Sequence, residues 1–305
     1  MPHDHHGHHH HADPQTGDGK LALAVAVNLG LTLAQVVGGI LSGSLALIAD
    51  ALHNFSDAIA LIIAFFARRI ARRPADSGMN FGYDRAEAVA ALVNYTTLTV
   101  LALYLVYEGI LRFFAPEPVD GWMVVWIAGL ALAVDLATAA LTLRMSRVSM
   151  NIRAAFLHNL ADALGSVAVI VAGVVVILWG WVWVDPVVTL MVAAYILWHV
   201  WSEGGGVIRH LMLGSPPDME AGAVARAIVA LDDVQDVHLM RLWSVREHEP
   251  ALEAHLVIAA GAWAHADRVK DHVKAMLSER FDIRHSTLEM ECALHSCDEA
   301  PLIGG

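Results

Sequence analysis

The chain has 305 residues, of which 57% are hydrophobic and only 16% charged, with a formal net charge of −12 and a mean hydropathy of +0.53. Typical soluble domains carry about 25% charged residues, so this composition excludes an ordinary soluble enzyme and fits a small polytopic membrane protein.

The first 19 residues form a low-complexity tract, with seven His among the first eleven. Asp4 and Gly7 interrupt the run, which favours a native tract over an expression tag. Its neutral imidazoles suit loose binding of Zn²⁺ or Ni²⁺, and its polarity predicts disorder. The tract is polar rather than basic then apolar, so no cleavable signal peptide is expected. Apolar runs follow at 21–41, 45–67, 88–111, 122–143, 154–179 and 184–207. At 1.5 Å per residue each spans the ~30 Å hydrocarbon layer, predicting a six-helix transmembrane domain over 20–212.

Loop charge orients that bundle. Arg68, Arg69, Arg72, Arg73 and Arg85 lie in the 68–85 connection, and Arg144, Arg147 and Arg153 in 144–153. The remaining connections carry Arg112 alone. By the positive-inside rule both termini are cytoplasmic, and Trp122, Trp126, Trp179, Trp181 and Trp183 mark the outer interface.

From Gly214 onward the pattern changes. Ser215-Pro216-Pro217 breaks the last helix. A 3.6-periodic segment (219–231) precedes alternating segments (234–245 and 251–260), an amphipathic run (264–281) and a short strand (286–291). Together they predict a small α+β domain of order αββαβ over 213–295, followed by a tail at 296–305. From residue 213 onward, 8 Lys and Arg stand against 16 Asp and Glu. So acidic a domain repels nucleic acid and anionic lipid and suits a divalent cation.

Two five-residue echoes sit inside apolar runs: His53-Asn54-Phe55-Ser56-Asp57 and His158-Asn159-Leu160-Ala161-Asp162. An ionisable side chain at the centre of a membrane helix costs about 2.5–3.5 kcal/mol, so four of them call for a function. The i, i+4 spacing sets imidazole and carboxylate on one helix face. Two such faces offer two nitrogens and two oxygens, a tetrahedral donor set for Zn²⁺, with Cd²⁺ or Co²⁺ also compatible. Mg²⁺ and Ca²⁺ demand more oxygen ligands. The plainer reading is a pair of structural hydrogen bonds, and the repetition argues against it. Because His158 lies only five residues past Arg153, either helix five starts earlier, near Ser149, or a water-filled vestibule reaches the site.

Other polar positions carry weaker signals. Asp50 is either a hydrogen-bond acceptor supporting the ligands, a proton carrier, or a satisfied buried carboxylate. Asp135 either lines an ion path or makes an interhelical hydrogen bond. Cys292-x-x-His295-x-Cys297 is an incomplete zinc-binding set, and a reducing cytoplasm argues against a disulfide there. No His-Glu-x-x-His motif is present, which disfavours a metal-dependent membrane enzyme. A membrane metal sensor without transport remains an alternative.

These residues resemble the cation diffusion facilitator family, bacterial zinc-type efflux transporters. The resemblance rests on Ser44 through His53 and Asp57, on Phe81-Gly82-Tyr83-Asp84-Arg85-Ala86-Glu87, on His158 through Ser166, and on His285-Ser286-Thr287-Leu288-Glu289. It implies a homodimer of six-helix subunits in the cell membrane, each with a cytoplasmic metal-sensing and dimerisation domain. It implies a transport site of His53, Asp57, His158 and Asp162, with protons as counter-ions. Within the family, His in both helices is associated with zinc, and Asp or Asn there with iron or manganese. The resemblance further implies cytoplasmic metal ligands at His238, His255 and His285. It also suggests a weak loop site at Asp76, where Tyr83 replaces a His of one branch, and a pair between Arg85 and Asp218 linking the domains.

Overall fold

The structure, a computed structural model, describes residues 15–143, 150–246, 249–297 and 300–304, with side chains described except at 15–28, 61, 141–143, 150–155, 157 and 158. Six long helices come first: α1 (Gln15–Ser42), α2 (Leu45–Ala71), α3 (Ala86–Phe114), α4 (Gly121–Leu143), α5 (Met150–Trp179) and α6 (Val184–Leu211). Each contains one of the expected apolar runs. Among the described residues, five helices are long and apolar enough to cross a membrane, and the Leu29–Ser42 part of α1 is a shorter apolar stretch. Large apolar side chains such as Leu103, Tyr107 and Val171 are exposed on these helices, as are Trp122, Trp126, Trp179, Trp181 and Trp183. Residues 15–19, expected within the disordered tract, belong to α1; extending a nucleated helix costs little. The His-rich run itself lies outside the described residues.

The chain forms two compact units, one built from the chain up to Ile62 with Thr96–Val200, the other from Ile63–Tyr95 with Trp201–Gly305. In the first, Leu47 of α2, Val124 and Ala128 of α4, Val169 and Ala172 of α5 and Val188 of α6 share one core. Helices α4 and α5 approach at Gly121 and Gly173, where a Cβ on Gly121 would lie 2.6 Å from the Gly173 carbonyl oxygen. Small residues at such a crossing are how membrane helices gain contact without a hydrophobic driving force.

The start of α2 is anchored by a residue far away in sequence. Asp185, 2% exposed in the first turn of α6, accepts hydrogen bonds from the Ser44 hydroxyl and from the Leu45 and Ala46 amides at 2.8 and 3.3 Å. It thereby satisfies donors that a helix N-terminus leaves open and places a negative charge at the positive end of the dipole. Arg112 donates to the Gly43 carbonyl at 2.6 Å and pairs with Glu108 and Glu117, both at 3.3 Å.

The second unit contains the α+β domain. Its order is α7 (Ala221–Val229), β1 (Val234–Arg246), β2 (Glu249–Ile258), α8 (Ala266–Phe281) and β3 (His285–Cys292), as the sequence predicts. The sheet order is β1-β2-β3, with β1 and β2 antiparallel and β2 and β3 parallel. Because α8 connects two parallel strands, it must cross one face of the sheet. On that face Leu252, Leu256 and Ile258 pack against Ile228 of α7 and Val273 and Leu277 of α8. Alternation along the strands puts His255, Glu289 and Glu291 on the opposite face.

Two features depart from expectation. The register of β1 shifts between His238 and Arg241, where Leu239 has a positive φ of 47°. At that bulge the segment read as a tail joins the sheet. The Leu239 amide donates to the Pro301 carbonyl at 2.9 Å, and the Met240 amide to Leu302 at 2.8 Å. Secondly, Arg85 and Asp218 form no ion pair among the described residues. Asp218 sits exposed in a turn, and Arg85 lines an apolar cavity with Phe81 and Trp243. The pair that forms is one residue away in sequence: Asp84 meets Arg246 at the end of β1, at 3.0 Å.

Candidate metal centres

In the first unit, α2 supplies His53 and Asp57 one turn apart. His53 Nε2 lies 3.6 Å from Asp57 Oδ2 and 3.4 Å from Asp162 Oδ1 on α5. Ligand atoms of His53, Asp57 and Asp162 all fall within 4.8 Å of one another. One imidazole nitrogen and two carboxylates at such separations match the donors and spacing that a four-coordinate divalent ion requires. His158 lies on α5 four residues before Asp162, and its side chain is outside the described residues. Helix α5 begins at Met150, as the early-start reading requires, so His158 stands about two turns inside it. The Tyr195 ring of α6 meets His53 edge-on, with centroids 6.4 Å apart.

Asp50 and Asp135 stay outside this cluster. Asp50, 4% exposed, accepts from Gln35 Nε2 at 2.6 Å, and Gln35 in turn accepts from Asn54 at 3.3 Å. Asp135 accepts from Ser166 of α5 at 3.4 Å. The network ties α1 to α2, and α4 to α5, beside the His–Asp cluster. Buried polar groups in a membrane interior need such partners.

The second unit carries another cluster. His238 of β1 faces His255 of β2 across the antiparallel ladder, with ring centroids 5.4 Å apart. Glu291 of β3 reaches diagonally to both: Oε1 lies 2.6 Å from His255 Nδ1, and Oε2 lies 3.3 Å from His238 Nε2. His238 is 3% exposed and its Nε2 makes no hydrogen bond among the described residues. Cys297 completes the group, its amide donating to Glu291 Oε2 at 3.1 Å and its thiol to Oε1 at 3.4 Å. All four ligand atoms lie within 4.8 Å of one another. Burial raises the Glu291 carboxyl, but hydrogen bonds from His255 and Cys297 and the nearby His238 outweigh it and leave it below the usual range.

Three of the sequence-predicted positions lie apart from this cluster or are divided by it. His285 is not part of the cluster: it pairs with Ala251, whereas His255 pairs with Glu289, so it stands four residues away along β3 and is exposed. At about 3.3 Å per residue that is roughly 13 Å. The tail set is divided, with Cys292 and His295 contacting each other at 3.1 Å while Cys297 joins the His238–His255–Glu291 cluster. At the expected loop position Asp76 is exposed and bonded within its own loop. Its carboxylate accepts from the Tyr83 hydroxyl at 2.7 Å and from the Gly78 and Met79 amides at 2.8 and 2.9 Å. The Tyr83 bond and those amides hold the Asp76 carboxyl below its ordinary value. Glu291 escaped the sequence reading, yet the alternation His285, Thr287, Glu289, Glu291 along one strand was a signal for it.

Comparison with known proteins agrees with both halves of this architecture. Residues 21–212 match the family model described as the cation efflux transmembrane domain, and residues 216–293 match the cation efflux protein, cytoplasmic domain. The metal cation efflux system protein CzcD of Cupriavidus metallidurans is 32% identical over 298 residues, covering 98% of this chain and 91% of that protein. The cadmium, cobalt and zinc/H(+)-K(+) antiporter of Bacillus subtilis is 32% identical, covering 90% of this chain and 88% of its own length. The zinc transporter ZitB of Escherichia coli is 33% identical, covering 95% and 93%. With both domains matched in order over nearly the whole length, the chain belongs to the cation efflux, or cation diffusion facilitator, family of membrane metal transporters.

Proposed function

We propose that this protein exports Zn²⁺ from the cytoplasm in exchange for protons, through a tetrahedral site of His53, Asp57, His158 and Asp162. The observation that carries the reading is the convergence of His53 with carboxylates from both α2 and α5 inside a membrane-spanning unit. His158 joins them on the helical spacing of α5. In this reading the ion is substrate, and the protein acts as a secondary transporter rather than an enzyme. It sits as a homodimer in the bacterial inner membrane, with both termini cytoplasmic, as the loop arginines favour. Relatives named for zinc, and for cadmium, cobalt and zinc, support a borderline-soft divalent cargo.

Ligand chemistry supplies the coupling. Imidazole must be neutral and carboxylate ionised to hold a metal, so protons and Zn²⁺ compete for one set of atoms. Ordinary imidazole titrates near about 6.5, so modest acidity outside displaces metal. Protonated and metal-loaded forms facing opposite sides then make the exchange obligatory. In the cytoplasmic domain, His238, His255, Glu291 and Cys297 would hold a regulatory zinc. Two nitrogens, one oxygen and one sulfur suit that ion, and the buried Nε2 of His238 is a ready donor.

The test is flux in reconstituted vesicles with an imposed pH gradient, across Zn²⁺, Cd²⁺, Co²⁺, Ni²⁺, Fe²⁺ and Mn²⁺. Zinc should move fastest, and its movement should acidify the compartment it leaves. Faster movement of Cd²⁺, Co²⁺ or Ni²⁺, or of Fe²⁺ or Mn²⁺, would reassign the cargo. Binding without flux would make the protein a membrane metal sensor.

A further inference from the structure

We infer that metal at the cytoplasmic cluster staples the C-terminal tail onto the free edge of β1. The inference rests on the regulatory-zinc reading above and adds what that metal does. Its basis is a coincidence of two attachments in a few residues. Cys297 contributes its thiol to a cluster whose other members belong to the three strands. A short way along, Pro301 and Leu302 present carbonyls to the Leu239 and Met240 amides at 2.9 and 2.8 Å, and Met240 bridges Ile303 in parallel. Those two amides immediately follow His238, itself a member of the cluster.

The edge has a reason to need cover. β1 is the outer strand of the sheet, and an outer strand presents unpaired amides and carbonyls that template other chains. The bulge at Leu239 twists this edge, and the tail pairs just there. Leu302 also lines one side of a groove between α7 and β1, with Ala225, Val229 and Val237. At Cys297 the tail is joined to the sheet by hydrogen bonds from its amide and thiol to Glu291. Such bonds contribute only about 1 kcal/mol each in competition with water. A thiolate–metal bond adds a tether that pulls in the same direction as the backbone pairing. Occupancy of the cytoplasmic site therefore decides whether the β1 edge and the α7 groove are covered.

The test uses the full chain in lipid nanodiscs, stripped with chelator or supplied with zinc chloride. Amide exchange at Leu239 and Met240 should slow roughly tenfold at zinc ten times its Kd, because metal binds the docked tail and not the released one. Alkylation of Cys297 in the wild-type protein should slow in parallel, which needs no variant. In Cys297→Ser the exchange of both amides should no longer depend on zinc. If zinc binds at the domain in the expected stoichiometry but neither amide responds, the staple is wrong and the metal site stands. If replacing His238 and His255 by Ala leaves bound zinc unchanged, the site and the staple both fall.

Discussion

In the membrane-spanning unit two of the three described members of the His–Asp cluster, His53 and Asp57, come from one turn of one helix, and only Asp162 arrives from another. In the cytoplasmic sheet each of four residues comes from a different segment: His238 from β1, His255 from β2, Glu291 from β3 and Cys297 from the tail. The first cluster is local in sequence because helical periodicity itself builds half of it. The second exists only once strand register is set. The two also differ in what their surroundings tolerate. In lipid an ionisable group without a function is expensive, so its presence is informative. On the polar face of a sheet a His or Glu costs little, and most such residues do nothing beyond meeting water.

The sharpest way to break the comparison is to remove one ligand from the membrane cluster. Asp57→Ala or His158→Ala should lower zinc flux by at least about 100-fold, since a four-coordinate site loses a first ligand rather than a supporting contact. Both variants should remain folded and dimeric on gel filtration. Ordinary flux through either one refutes the transport-site assignment.

Hardening the same site should redirect rather than abolish it. His53→Asp replaces an imidazole by a carboxylate, which suits Fe²⁺ or Mn²⁺ better. Competition flux assays should show the preference for zinc reduced, and an unchanged preference would locate selectivity elsewhere.

In the cytoplasmic cluster the expected loss is thermodynamic. Metal that binds only the folded state adds RT ln(1 + [L]/Kd), about 2.7 kcal/mol at a hundredfold excess over Kd. Thermal unfolding of the full chain should show the zinc-dependent gain of the α+β domain disappear in the double variant His238→Ala, Glu291→Ala. His285→Ala should keep that gain. The reverse result would mean the strand register seen here does not define the site.

The smallest effect belongs to the loop. Asp76→Asn should leave flux and bound zinc within about twofold of the parent, as for an exposed substitution away from both clusters. In Tyr83→Phe the Asp76 carboxyl should titrate higher, because the hydroxyl that stabilises its ionised form is gone. The stability that this carboxylate adds is present above its unfolded pKa and fades as pH falls through the lower folded one. A metal-dependent change in the Asp76 titration would reopen the loop site.

Much of this protein could be read without coordinates. Long, mostly apolar runs announced α1 to α6, because a membrane accepts little besides a long apolar helix. A change of hydrophobic period after Gly214 announced the αββαβ domain, and the spacing of His53 with Asp57 marked the place where the structure gathers His53, Asp57 and Asp162. Tertiary structure alone decided the rest. Which carboxylate caps α2 depended on α6 delivering Asp185 beside Ser44, 141 residues away. That Glu291 and Cys297, not His285, join His238 and His255 depended on a β1 bulge, a parallel register and a returning tail. That the Asp76 carboxylate accepts from the Tyr83 hydroxyl depended on how the loop folds back on itself. Periodicity is a property of neighbours along the chain, so it is written in the sequence. Register, capping across helices and competition for a carboxylate are settled between distant segments, by whichever partners packing brings within about 3 Å.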